Sequence, residues 1–571
     1  MRTAVAVLSW AVGSVLAAVI LAFVLGGLNA GAAAASLVLG LGVAWFAVRT
    51  TPAEARPAVG RWDVFLFLVF GLVSLRAFLW LVGERGDEVF VLSPNNLGDM
   101  SLHIHFIRYL AGGVPFWPES PILTGVPLTY PLGADLFNSL LELCGVGTFR
   151  GLIWTGLAGA ALTGFALWRW GGAFALAAFL FNGGLAGFAI FRTGFPEDFQ
   201  AELVWKNLFL SMFVTQRGLL FALPAGLLLL TTWREEFFRN GRPVLARWLQ
   251  IVLYASMPLF SLHTFIFLSV MLAGFFLMRP SARRALVLLV GAALVPATVC
   301  VLLVTGNFSA SGLHLAWTWL PDFYAKPEAR GWITVLKDFG LTLPLGLATI
   351  ALALRRKDAE AQGFVLTAAA IFLICCFVAF SVWEWDNMKL MMWSWLVVAP
   401  YLWNLVIRPL QRPAQAALCG VLFFSGAVSL IGGLDARHGY TLARRSELAF
   451  WRAAVKDIPA TDRFAAVPDY NHPLILLGRK VAAGYEGHLW SHGLDYLEKM
   501  QLTGAALRGD VSWEIAAPKL NVQWGALRRT DRPDFVTGGI GAVYDLRPCL
   551  TPRPTSPTPP PPPPRPVGLP W

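Results

Sequence analysis

The chain has 571 residues, 56% of them hydrophobic and 14% charged, with a net charge of +11 at pH 7 and a mean hydropathy of +0.60. Soluble domains carry roughly 25% charged residues, so the composition excludes a soluble globular protein and indicates an all-α polytopic membrane protein. The positive charge is not a nucleic-acid signal, because the arginines cluster in short loops between apolar runs, as the positive-inside rule expects.

In chain order the expected spans are 4–25, 31–48, 62–82, 148–168, 172–191, 217–232, a pair within 248–279, 285–304, 338–355, 363–381, 389–408 and 415–433. Apolar runs of 17 or more residues recur among them, long enough to cross about 30 Å of hydrocarbon. The first run reads as an uncleaved span, because a second apolar run follows at once with no cleavage site and soluble region between them. As one helix, 248–279 would be about 48 Å long. It is therefore read as a hairpin, with the basic segments RNGRPVLAR and RPSARR on its cytoplasmic flanks.

About thirteen spans with the N-terminus inside follow from this reading. The loops 49–61, 233–247, 279–284, 355–357 and 408–412, together with Arg169, fall in the cytoplasm. On the other side lie 83–147, 192–216, the hairpin tip 258–264, 305–337, 382–388 and everything after 433. Asp99, His103, His105, Glu197, Asp198, His263, Glu384, Asp386 and the C-terminal histidines all fall there. The unusual polar groups are gathered on one face, which makes the extracytoplasmic face the working one. The expected domains are 1–433, transmembrane with the extracytoplasmic loop 83–147; 434–548, a small extracytoplasmic α/β domain; and 549–571, a proline-rich disordered tail.

Several stretches carry candidate chemistry. "NNLGDMSLHIHFIRYL" (95–110) reads as a loop followed by a helix with Asp99 and His103 on one face, continued by Leu102, Phe106 and Leu110, while His105 points elsewhere. The pattern suits an amphipathic helix at the membrane surface. Asp99 supports two compatible readings, a helix N-cap and a reactive carboxylate. "FWPESPILTGVPLTYPLGADLFNSLL" (116–141) is a proline-rich strap ahead of a short helix, either a structural loop or the wall of a groove. Arg192, Lys206 and Arg217 sit at the same surface, where they hold a lipid phosphate or simply snorkel. "MPLFSLHTF" places His263 at the hairpin tip. "VWEWDNMKLMMWSW" (382–395) gathers Glu384, Asp386 and Lys389 among tryptophans of an interfacial belt, a mixture suited to a phosphate or a metal. Cys144, Cys300, Cys375, Cys376, Cys419 and Cys549 lack metal-ligand spacing, and those in or beside apolar segments read as small core residues.

Taken together these stretches resemble the GT-C-fold glycosyltransferases of bacterial membranes, most of them uncharacterised. The loop acid beginning a surface helix, the "Pro…Gly…Pro-Leu-x-Tyr-Pro" strap and "WEWDNMKLMMW" are similar to that family's motifs. "DYNHPLILLGRKVAAGYEGHLWSHGLDY" (469–496) is the most specific block. In "MPLFSLHTF", Ser261 stands where the family usually has a first histidine, which weakens a metal site there.

The resemblance covers about residues 60–545. It implies transfer of a sugar from a polyprenyl-phosphate donor to a glycan, lipid or protein acceptor on the outer face of the bacterial inner membrane. Asp99 would be the general base, with His103 beside it. Tyr130, Arg192, Arg217, His263, Glu384, Asp386, Lys389, His472 and His492 are the candidate substrate contacts, and the metal is unknown, a divalent ion being compatible. His472, His488 and His492 read equally as acceptor contacts or structural groups. Two other classes stay open, a transporter or flippase for lipid-linked saccharides and a non-catalytic membrane assembly protein. The lack of an internal repeat and of mid-bilayer charge argues against the former.

Overall fold

The protein is described from a computed structural model covering residues 1–52, 58–92, 99–239, 241–308, 312–323, 331–531 and 540–550. Residues 93–98, which lead into Asp99, and the proline-rich tail from 551 lie outside the described residues.

The N-terminal helices α1 (Arg2–Leu25) and α2 (Ala30–Thr50) pack closely because small residues line their seam. A Cβ on Gly40 would stand 2.0 Å from Ser14 Oγ, an approach that small side chains permit. Asn29 starts α2 by accepting from the Ala32 amide at 2.9 Å. After α3 (Arg61–Leu79) come the short strands β1 (Gly83–Arg85) and β2 (Glu88–Val91), then α4 (Asp99–Ala111) and α5 (Gly133–Leu143).

The 33-residue α6 (Thr148–Leu180) takes in the expected span 148–168 and the start of 172–191. It is broken at Gly171–Gly172, where Gly172 takes φ 64°, and Asp63 Oδ1 accepts from the Ala173 amide at 2.9 Å to restart it. The short α7 (Ile190–Thr193) precedes α8 (Leu219–Trp233), which is buried along its whole length.

The expected break in 248–279 falls at Ser261, between α9 (Arg247–Phe260) and α10 (Leu262–Met278). Ser261 has extended backbone, and its hydroxyl accepts from the Thr264 amide at 3.2 Å, capping α10. Then follow α11 (Arg283–Thr305), β3 (His314–Leu315), α12 (Trp319–Asp322), α13 (Trp332–Phe339) and α14 (Thr342–Arg356), the last two bent by 77°. The helix α15 (Ala359–Cys375), strand β4 (Val378–Ala379), α16 (Met388–Leu402) and α17 (Arg412–Gly433) complete the helical body.

Among the described residues seven helices are long and apolar enough to cross a membrane, or eight counting the bent pair as one. That is fewer than the thirteen expected. Several expected spans are helices of 14–17 residues, among them α8, α9, α10 and α15, ended by breaks such as Ser261. Large apolar side chains stay exposed on α3 and α11, where Leu72 is 67% and Val295 71% accessible, as lipid-facing surfaces require.

The remainder carries β5 (Tyr440–Arg444), α18 (Arg445–Ala454), β6 (Arg463–Ala465), α19 (Pro473–Leu476), β7 (Lys480–Val481), α20 (Glu486–Ser491), α21 (Leu497–Arg508), α22 (Trp513–Leu520), β8 (Trp524–Arg528), β9 (Gly541–Asp545) and α23 (Arg547–Leu550). Strands β7-β6-β8-β9 form one mixed sheet. Strand pairing and the strap help fasten this region to loop 83–147. Strand β5 pairs antiparallel with β2, and the strap lies along β7, with Gly484 donating to Ile122 O at 2.8 Å and Val481 to Pro121 O at 3.0 Å. Glu119 of the strap accepts from Lys480 Nζ at 2.8 Å and pairs with Arg463 at 2.9 Å.

The polar segments sort to two ends. At one end β3 pairs with β4, Trp383 lies 6.3 Å from Trp490, and Gly218 and Gly133 pack on Phe260 at the tip of the α9–α10 break. At the other end Trp248 donates to Thr50 at 3.0 Å, Arg234 to Trp170 O at 3.0 Å, and Arg239 pairs with Glu360 at 2.7 Å.

Candidate functional site

Helix α4 opens on Asp99, with its carboxylate in the first turn, where the positive end of the helix dipole favours an anion. The sequence predicts an amphipathic surface helix here, but Met100 to Ile107, Tyr109 and Leu110 are all buried. Tertiary cover explains the difference. Helix α5 packs on one side and α19 on another, and the imidazole of the buried His105 donates from Nε2 to Arg479 O at 2.9 Å. The carbonyl can only accept, so this histidine is a fastener to the C-terminal region.

His103, one turn beyond Asp99, points toward α5. Its Nδ1 lies 2.9 and 3.0 Å from the two carboxylate oxygens of Asp135, and both residues are buried. A carboxylate accepts here, so Nδ1 carries the proton and Nε2 remains free of that bond. Asp135 was missed at the sequence level. "PLGAD" reads as a helix start and nothing local marks its carboxylate as facing a histidine 32 positions away. Ser139 Oγ, donating to Ile107 O at 2.9 Å, locks the two helices in register.

A second element enters from the start of α16. Lys389 Nζ stands 3.0 Å from Asp386 Oδ1, and Ser381 donates to Asp386 Oδ2 at 3.3 Å. Asn387 holds the turn, accepting from the Phe380 amide at 3.0 Å and donating to Val378 O at 2.7 Å and Cys375 O at 2.8 Å. Trp385 and Trp383 flank the pair, their rings 5.1 Å apart.

These elements converge. Asp99 lies within Coulombic range of His103, Lys389, Arg217 and Asp386. Arg217, fully buried beside the α9–α10 break, faces Asp135, Asp99, Tyr130 and Tyr440. Tyr130, brought in by the strap, has its ring 6.2 Å from His103 and 5.2 Å from His492. His263 lies in range of Lys389 and Asp386, and His492 of Asp386, Lys389 and His103.

Burial pushes the Asp99 carboxyl above its ordinary value, against the opposing pull of His103, Lys389 and Arg217. It pushes the Tyr130 phenol well up, helped by the carboxylates of Asp135, Asp99 and Asp386. His492 is pushed down to about 4 by burial, so its imidazole is neutral near pH 7. Among the described residues no hydrogen bond or ion pair occupies the Asp99 side chain.

Other candidates lie apart. Arg192 is exposed on α7. Glu384 reaches outward, 3.5 Å from His314. His472 is buried and caps α19, its Nδ1 accepting from the Leu474 amide at 3.2 Å. His488 is buried on α20, near Tyr485 at 5.1 Å between rings. For a divalent metal, no three histidine, cysteine or carboxylate side chains among the described residues are placed as a ligand set.

No protein-family model and no curated protein matches the chain. Among solved structures it is similar to the archaeal oligosaccharyltransferase AglB from Archaeoglobus fulgidus, in complex with an inhibitory peptide and a dolichol-phosphate. The identity is 11% and the TM-score 0.44, over 82% of this chain and 69% of that one. It is also similar to ArnT from Cupriavidus metallidurans in the apo state, at 14% identity and TM-score 0.41, over 86% and 98% of the two chains. Both neighbours are GT-C-fold glycosyltransferases, the class that the sequence resembles, and at these identities and scores the likeness bears on no residue's role.

Proposed function

We propose that the protein transfers a sugar from a polyprenyl-phosphate donor to an acceptor hydroxyl, at the end of the molecule that faces away from the cytoplasm. The observation that carries this reading is the convergence of one carboxylate, Asp99, which bonds to no described residue, with two cations, Arg217 and Lys389, from three separate segments. Sequence resemblance at the strap, the "WEWDNMKLMMW" turn and the 469–496 block supports the same class of reaction.

In this reading the acceptor hydroxyl gives its proton to Asp99 as its oxygen attacks the anomeric carbon. The bond from that carbon to the phosphate oxygen breaks, and polyprenyl phosphate leaves with the electron pair and the negative charge. Lys389 and Arg217 face that charge, the preorganised electrostatic role on which such a departure depends. Asp386 holds Lys389 in place, and the Asp135–His103 pair fixes the wall beside Asp99. Tyr130 and His492, ring against ring, line the acceptor side.

The test uses the full chain in lipid nanodiscs with a panel of short-chain polyprenyl-phosphate pentoses and hexoses, measuring release of polyprenyl phosphate. Asp99→Asn keeps the size of the side chain and removes the base. It should lower turnover by a factor on the order of 10²–10⁴, with melting temperature unchanged. Turnover of the variant equal to wild type would sink the assignment of Asp99. Movement of the intact donor between leaflets without release would favour the transporter reading.

A further inference from the structure

A cavity of about 460 Å³ lies beyond the far end of α4, bounded by the last turns of α4 and α5 and by α18. Four of its lining residues are cationic, Arg108, Arg452, Lys456 and Arg479, and one is acidic, Glu142. Two of the cations are fixed. Arg108 donates to Leu476 O at 2.5 Å and to Thr148 Oγ1 at 3.0 Å, with Glu142 at 3.8 Å. Arg479 donates to Ile458 O and Val455 O, each at 2.7 Å. Their guanidinium groups cannot swing away to relieve repulsion.

The other two, Arg452 in the last turn of α18 and Lys456 four residues on, are exposed, and among the described residues neither side chain makes a hydrogen bond or ion pair. Burial depresses Arg108, Glu142 and the more weakly acting Glu84 offset part of that, and Arg452 adds like-charge repulsion. Glu142 is itself engaged, accepting from Thr148 Oγ1 at 2.7 Å. Four positive groups around one hollow, with a single occupied carboxylate, are a costly arrangement unless an anion sits among them.

We infer that this cavity is a phosphate-binding site, separate from the Asp99 cluster. The helix α4 has 13 residues, which separates its two ends by about 18 Å. Arginine forks backed by a lysine match the several oxygens of a phosphate better than a single carboxylate. The cavity opens beside Thr148, where α6 begins, and next to Gly113, which touches Gly27 in the α1–α2 turn. Three spans end at this level, so either the headgroup of a phospholipid or a soluble phosphate can reach it.

The test compares wild type with R452E/K456E and with the milder R452A/K456A, which keeps the question answerable should charge reversal disturb folding. Inorganic phosphate is titrated onto the full chain in neutral detergent, and melting is compared in nanodiscs of phosphatidylglycerol and of phosphatidylcholine. Binding of inorganic phosphate that weakens about tenfold or more in the variants, with transfer activity intact, assigns a soluble phosphate ligand. Stabilisation by phosphatidylglycerol alone, lost in the variants, assigns the lipid headgroup. Equal responses of wild type and variants, or no response to either probe, would overturn the inference.

Discussion

The two ends of the helical body use their charged groups differently. At the end bearing Glu360, the charges are satisfied by one another. Arg239 binds Glu360 at 2.7 Å and Glu235 at 2.9 Å, Tyr401 donates to Glu360 at 3.1 Å, and Arg234 lies 4.3 Å above the Trp170 ring. At the Asp99 end the supporting groups are paired, His103 with Asp135 and Asp386 with Lys389, while the central carboxylate faces cations without bonding to any described residue. Closed pairs hold helices together. A carboxylate left open among fixed cations can hold a proton or a substrate, and such perturbed groups mark working sites.

The largest expected effect that would break this contrast is at Asp99. Because burial raises its pKa and the base must be ionised, activity should rise with pH. The midpoint should lie above the ordinary carboxylate value of about 4, and activity should be lost as the solution is acidified through it. The pH–rate profile of release checks this, and a midpoint at or below the ordinary value would remove the argument.

Asp135→Asn should come next, lowering turnover about 10- to 100-fold through the loss of a buried charge-assisted partner. As a positioning residue Asp135 should act on the turnover number more than on KM, and it should alter the pH profile, which a purely structural role would not. His492→Gln should change turnover by less than about threefold with the pH profile unmoved near neutrality, since the imidazole it removes is already neutral there. Smallest is Glu360→Gln at the closed end. It should shift stability by about 0–1 kcal/mol, because Arg239 is 46% exposed and screened by water, and should leave transfer unchanged. Thermal melting in detergent reads the first and the release assay the second.

The contrast was only half visible in the sequence. Positions of basic loops led the sequence reading to separate two groups of polar segments. Topology led the sequence reading to put Asp99, His263 and Asp386 on one face, and helix length called for a break within 248–279, which falls at Ser261. Among the described residues seven or eight helices have span length, against thirteen expected, because several expected spans are shorter helices. A helix wrapped in protein, such as α8, has no bilayer thickness to match.

The site partners were less legible. Asp135 meets His103 across 32 positions and Glu119 meets Lys480 across 361, distances over which no periodicity carries information. His472 and His492 stand 20 residues apart in one motif block, yet one caps a buried helix and the other reaches Tyr130.

What the sequence determined by itself is what local chemistry dictates: apolar runs that must leave water, basic loops between them, and a carboxylate at a helix start. What only the tertiary structure decided is which of the gathered polar groups bond to each other and which stay open. That choice rests on packing, through the strap added to β7, α5 laid on α4 and the α9–α10 break set against Gly218. Side-chain pairing depends on distances of a few ångströms between segments that the chain itself holds hundreds of residues apart.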